Sequence, residues 1–126
     1  MIFGAHFLLY STNPDADRAF LRDVLGMRYV DVGHGWLIFK APPTELAVHP
    51  AESEFVQSHA DQKMLGLILY LMCDDLDAEI KSLAAKGVKC GKVETAEWGI
   101  ASSIPLPSGA SIGLYQPKHE VAIDVK

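Results

Sequence analysis

The stretch LGLILYLMCDDLDAEIKSLAAKG, Leu65 to Gly87, decides how the rest of the chain is read. From Leu65 to Cys73 the run is apolar without a break and too short for a membrane span, a pattern that predicts a strand covered on both faces. Asp74 and Asp75 interrupt it and offer side-chain oxygens to the free amides of a new helix. That helix places Leu76, Ile80 and Leu83 on one stripe, and Gly87 supplies the left-handed residue that ends it. The unit is strand, helix, then more strand.

Downstream, VKCGKVET, then IASSIPL after Trp98-Gly99, then ASIGLYQP after the Pro107-Ser108-Gly109 turn read as three further strands. Upstream the same order recurs in a weaker copy. Ile2 to Tyr10 is an apolar run of strand length interrupted by His6, and Ser11 to Asn13 before Pro14 makes a helix entry. Phe20, Leu21, Val24 and Leu25 form the buried stripe and Gly26 ends the helix. MRYVDV, GWLIFKA after His34-Gly35, and TELAVHP after Pro42-Pro43 then read as a meander. The halves form an internal architectural repeat within one domain spanning 1–126: module one about 1–50, a polar connector 51–62 with a short helical turn at AESEFV, module two about 63–117, and a tail 118–126 without a clear role.

At 126 residues the chain is one domain's length, enough to bury roughly two-thirds of its unfolded surface. A net charge of -5, from 11 Lys and Arg against 16 Asp and Glu, argues against nucleic acid and anionic membrane as partners, since both need a basic face. Cys73 and Cys90 form no CxxC pair, and the N-terminus has no basic leader, so free thiols in a cytoplasmic protein are expected. No phosphate-binding glycine loop, GxSxG elbow or HExxH is present.

His6 in the first strand, AFLRDVLGMRYV at the first helix end, TELAVHP, DDLDAEIKSLAAKGV and the closing LPSGASIGLYQP together carry a resemblance, over almost the whole chain, to the vicinal oxygen chelate superfamily of glyoxalase I, extradiol dioxygenases and fosfomycin- and bleomycin-resistance proteins. The resemblance implies an α+β fold of two βαβββ modules whose sheets curl into an incomplete barrel round a cleft, with helices on the outer face and a homodimer completing it. In metal-dependent members each module contributes ligands from its first and last strands. Here His6 and Glu45 match the first module's positions, whereas the second module's fall near Ile68 and on Gly113, neither of which can ligate a metal. Two of four ligands are missing, short of the three protein ligands usual for catalytic zinc. His49 lies four residues beyond Glu45, about 13 Å along a strand, and does not obviously substitute.

No cofactor is therefore expected, and a divalent metal, if present, would rest on His6 and Glu45. The implied site is a His6–Glu45 pair at the cleft floor, with Tyr70 and Tyr115 as aromatic walls. Trp98, like Trp36, sits at a turn edge, where it lines a pocket mouth or covers a sheet end. His34, His49, His59 and His119 read as turn, strand-end, connector and tail residues. The resemblance implies a metal-free binding protein of the bleomycin-resistance kind, acting on a small molecule. The alternative is a metal-dependent lyase, isomerase or dioxygenase, or an acid–base enzyme using His6 and Glu45 directly.

Overall fold

Along the chain the elements run α1 (Pro14–Asp23), β1 (Tyr29–Asp31), β2 (Leu37–Phe39), β3 (Val56–His59), β4 (Gln62–Leu65), β5 (Tyr70–Met72), α2 (Leu76–Ala85), β6 (Glu94–Ala96), β7 (Gly99–Pro105) and β8 (Ser111–Pro117) in the computed structural model, which describes residues 1, 3–51 and 56–126. The class is α+β, and among the described residues the sheets stay separate instead of closing into a barrel.

The second half is built as its pattern demands. Asp75 caps α2, its carboxylate accepting the Ala78 N–H at 3.0 Å. At the other end Gly87 turns left-handed, φ +81, so that its own N–H and that of Val88 reach back to Ala84 O and Leu83 O at 3.0 and 2.9 Å. The helix carries the chain across, so β5 lies parallel to β8, while β6, β7 and β8 form an antiparallel meander in the order β5-β8-β7-β6. Strand alternation gives this sheet two different faces. Ile104, Ile112 and Leu114 point to one and are buried against Leu76, Leu83 and Val88. Gly113 and Tyr115 point to the other.

Phe20, Val24 and Leu25 of the first half pack at the margin of that core, yet the buried residue of α1 is an acid, Asp17. Its Oδ1 accepts the Ser108 N–H at 2.9 Å in the β7–β8 turn. Burial pushes its pKa up, but hydrogen bonds from Ser108 and Ser11 outweigh that and leave the carboxyl below its ordinary range. Thr12 Oγ1 donates to Ser108 O at 3.4 Å, and Lys86 Nζ donates to Val24 O at 3.0 Å. Polar bonds thus tie α1 to the second half where apolar contact is thin.

The first half departs from its expected pairing. MRYVDV and GWLIFKA do pair, as β1 and β2, with Tyr29 opposite Phe39. The runs at 3–10 and 44–50 join no sheet, and Ile2 lies outside the described residues. Strand propensity becomes a ladder only when a partner strand lies alongside, and among the described residues neither run pairs with one. A hairpin, β3–β4, with Val56 opposite Leu65, runs from the expected connector into the expected module two. It was hidden because its turn uses Ala60 and Asp61, both at positive φ (51 and 59), instead of glycine or asparagine. Of the helical turn expected at AESEFV, residues 52–55 lie outside the described residues, and Val56 opens β3. The run Leu65 to Cys73 is likewise not one strand covered on both faces: Leu65 ends β4, and Leu65 and Ile68 are 81% and 74% exposed. Its strand begins only where β8 offers partners, from Leu69 O accepting Gly113 N–H at 2.8 Å to Cys73 N–H donating to Tyr115 O at 2.9 Å.

Candidate functional site

The face of the β5-β8-β7-β6 sheet turned away from the core carries an aromatic cluster centred on Tyr115. Tyr70 lies opposite Gly113 in the β5–β8 ladder. Because Gly113 has no side chain, the Tyr70 ring settles over it, and a Cβ at 113 would run into that ring. The ring meets Tyr115 edge-on, centroids 5.4 Å apart at 88°. Trp98, from the β6–β7 turn, approaches Tyr115 at 5.7 Å and 73°, its carbonyl accepting the Lys118 N–H at 2.9 Å. Tyr70 and Trp98 remain 43% and 48% exposed, so the cluster is open to solvent.

Glu45 reaches this cluster from the first half, just after the Pro42-Pro43 break, where Thr44 Oγ1 donates to Pro42 O at 2.9 Å. Its Oε1 accepts the Tyr115 hydroxyl at 3.4 Å and its Oε2 accepts the Ala122 N–H at 2.9 Å. The side chain is only 17% exposed. Burial first, and then the charge and hydrogen bonding of Glu45, raise the Tyr115 pKa above its ordinary value, so Tyr115 is a neutral phenol at physiological pH. His119 joins from the C-terminal tail. Its Nε2 is 3.2 Å from the Tyr115 hydroxyl and 4.0 Å from Glu45 Oε1, and its ring lies 6.0 Å from that of Tyr115. Its Nδ1 lies 2.8 Å from Glu120 O, which can only accept, so the proton of that contact sits on Nδ1.

The structure therefore brings together Glu45, Tyr70, Trp98 and Tyr115, and does not bring His6 to them. His6 is exposed and makes no hydrogen bond, ion pair or ring contact among the described residues. Among the described residues no hydrogen bond or ion pair joins His6 to Glu45, whose partners are Tyr115, Ala122 and, at 4.0 Å, His119. His119 was missed because four residues of continuing strand would carry it about 13 Å from Tyr115; only the turn after Pro117 returns it. The other histidines are peripheral: His34 sits in a turn at φ 56, His49 holds its neighbour's carbonyl, Pro50 O, at 2.7 Å, and His59 bonds the Tyr10 hydroxyl. Trp36 lies under the Arg18 guanidinium at 4.8 Å and covers the surface there.

Cys73 and Cys90 are free and half-buried. Burial raises both thiol pKa values, with the Glu79 and Asp74 charges adding to the effect at Cys73, which disfavours the reactive thiolate. An open groove of about 660 Å³ lies on the opposite side of the sheet, lined by Leu71, Leu114, Arg28 and Lys40 among others, and shares no residue with the aromatic cluster. Among the described residues, no three His, Cys, Asp or Glu side chains are grouped where they could hold a metal ion, and no helix is long and apolar enough to cross a membrane.

A family model described as the Glyoxalase/Bleomycin resistance protein/Dioxygenase superfamily matches residues 5–103. Among solved structures, the chain is similar to TnmS3, an antibiotic binding protein from Streptomyces sp. CB03234, at 22% identity over 94% of this chain and 99% of that one, with a TM-score of 0.61. It is also similar to a lactoylglutathione lyase from Agrobacterium tumefaciens, at 20% identity over 86% and 88% with a TM-score of 0.57. A third, SMU.1112c, gives 18% identity over 91% and 99% with a TM-score of 0.60. No curated protein sequence matches. At these identities the structural likeness concerns the fold alone.

Proposed function

Because the chain belongs to the Glyoxalase/Bleomycin resistance protein/Dioxygenase superfamily, we propose that it is a small-molecule-binding protein that takes its ligand on the open face of the β5-β8-β7-β6 sheet and needs no resident metal. The observation that carries this reading is the Tyr70 ring lying over Gly113. Gly113 matches the position where metal-bearing relatives place a last-strand ligand, and here that space belongs to an aromatic ring. Both oxygens of Glu45 are engaged by Tyr115 and Ala122, and His6 makes no contact with it, so neither the metal nor the His6–Glu45 acid–base reading draws support from the geometry. Three clustered aromatic rings beside one carboxylate suit a partly apolar molecule with a polar head. TnmS3, whose fold this chain shares, is an antibiotic binding protein.

The reading includes a symmetric homodimer in the cytoplasm. Leu8, Leu9, Leu46 and Val48 are exposed on runs that join no sheet, and a second chain would cover them. The test is direct. With Trp36→Phe leaving Trp98 as the sole tryptophan, a panel of small aromatic compounds with polar heads is titrated by fluorescence before and after exhaustive chelation. Binding that survives chelation supports the proposal; binding abolished by chelator and restored by a single added metal overturns it.

A further inference from the structure

We infer that the head group received at Glu45 is a cation, an amine or quaternary ammonium carried on an aromatic or otherwise apolar body. This deepens the preceding proposal and rests on it. A carboxylate that is largely withdrawn from water calls for a counter-charge or a full set of hydrogen bonds. Glu45 has two neutral donors, the Tyr115 hydroxyl and the Ala122 amide, and among the described residues no lysine or arginine pairs with it. The basic group nearest to it is the His119 imidazole, at the outer limit of ion-pair distance, 4.0 Å.

The surroundings select in the same direction. Tyr70 and Trp98 each meet Tyr115 at a steep angle, 88° and 73°, which sets π surfaces at different orientations around the ring whose hydroxyl bonds the carboxylate. A cation there is attracted by ring quadrupoles as well as by Glu45, about 0.5–2 kcal/mol per ring depending on desolvation. An anion would meet a carboxylate that has no lysine or arginine partner among the described residues, and the negative faces of the rings. The chain's net charge of -5 favours the approach of a cation from a distance.

Three probes of similar shape separate the terms: benzyltrimethylammonium, neutral neopentylbenzene, and 3-phenylpropionate. Each is titrated into the Trp36→Phe protein at low salt, followed by Trp98 fluorescence and by calorimetry, and then into the same protein carrying Glu45→Gln or Tyr70→Ala. The cation should bind at least ten-fold more tightly than either of the others. Glu45→Gln should erase most of that preference, and Tyr70→Ala should weaken the cation several-fold. Circular dichroism of each variant confirms that the sheet is intact. Equal or tighter binding of the neutral or anionic probe, or a preference unchanged by Glu45→Gln, overturns the cation inference while leaving the ligand-binding reading in place. If no probe and no member of the wider aromatic panel binds, both fall.

Discussion

Replacing Gly113 by alanine should destabilise the native protein but stabilise a protein that already carries Tyr70→Ala. Gly113 does not have a positive φ, so alanine is conformationally acceptable there, and the obstacle is the Tyr70 ring that a new Cβ would strike. Tyr70 is 43% exposed, so its ring can swing outward, which keeps the overpacking cost toward the low end of the usual ~1–3 kcal/mol. Swinging out also forfeits the edge-on contact with Tyr115, worth about 0.5–1.5 kcal/mol. Against these losses, removing a glycine from a strand interior returns roughly 0.5 kcal/mol. The net loss in the native background is about 1 kcal/mol, the net gain in the Tyr70→Ala background about 0.5 kcal/mol, and the coupling about 1.5 kcal/mol. Urea denaturation of the four proteins measures the cycle, provided that fluorescence and circular dichroism report coincident transitions. Additivity within about 0.3 kcal/mol would refute the claim that Tyr70 occupies the space above Gly113.

Asp17→Ala should cost about 2 kcal/mol at neutral pH, because it leaves the Ser108 amide without its charged acceptor. Since the folded-state pKa of Asp17 is lowered, its contribution is present above the unfolded carboxylate pKa of about 3.9 and is lost as pH falls through the folded value. Denaturation curves of the two proteins should therefore stay parallel from neutral pH down to about pH 5 and converge below about pH 4; a gap that widens on acidification would contradict this. Asp75→Ala should cost about 1 kcal/mol through loss of the α2 cap, and an unchanged urea midpoint would show the cap to be idle. Light scattering should report two chains per particle at tens of micromolar, and a monomer would remove the second chain proposed to cover the exposed runs at 3–10 and 44–50.

What could be read in advance follows from where the determinants lie. Asp75, Gly87 and the stripe Leu76, Ile80, Leu83 act within a few residues of themselves, so α2 and its ends were legible from local chemistry, as were β7 and β8, whereas of VKCGKVET only Glu94 and Thr95 enter a strand. The strand at Leu65 to Cys73 was overdrawn because its apolar character says only that partners are wanted, while its length is set by β8, more than forty residues away. Tyr70 and Tyr115 were identifiable from strand parity, a local property with a period of two. Glu45 was placed by resemblance and lies against Tyr115, but its hydrogen-bond partners were not readable from spacing. Tyr115 is fixed by ladder register, Ala122 by a return of the tail, and His119 by a turn that no glycine announces. His6 shows the converse: a matching position in the chain implies a role only if its strand finds an edge, and in the described residues it finds none. The proposed site thus draws its rings from the half whose four strands pair into one sheet, and its carboxylate, Glu45, from the other. For that reason the second half's contacts, Tyr70 over Gly113 above all, weigh more in the functional reading than the inherited positions of the first.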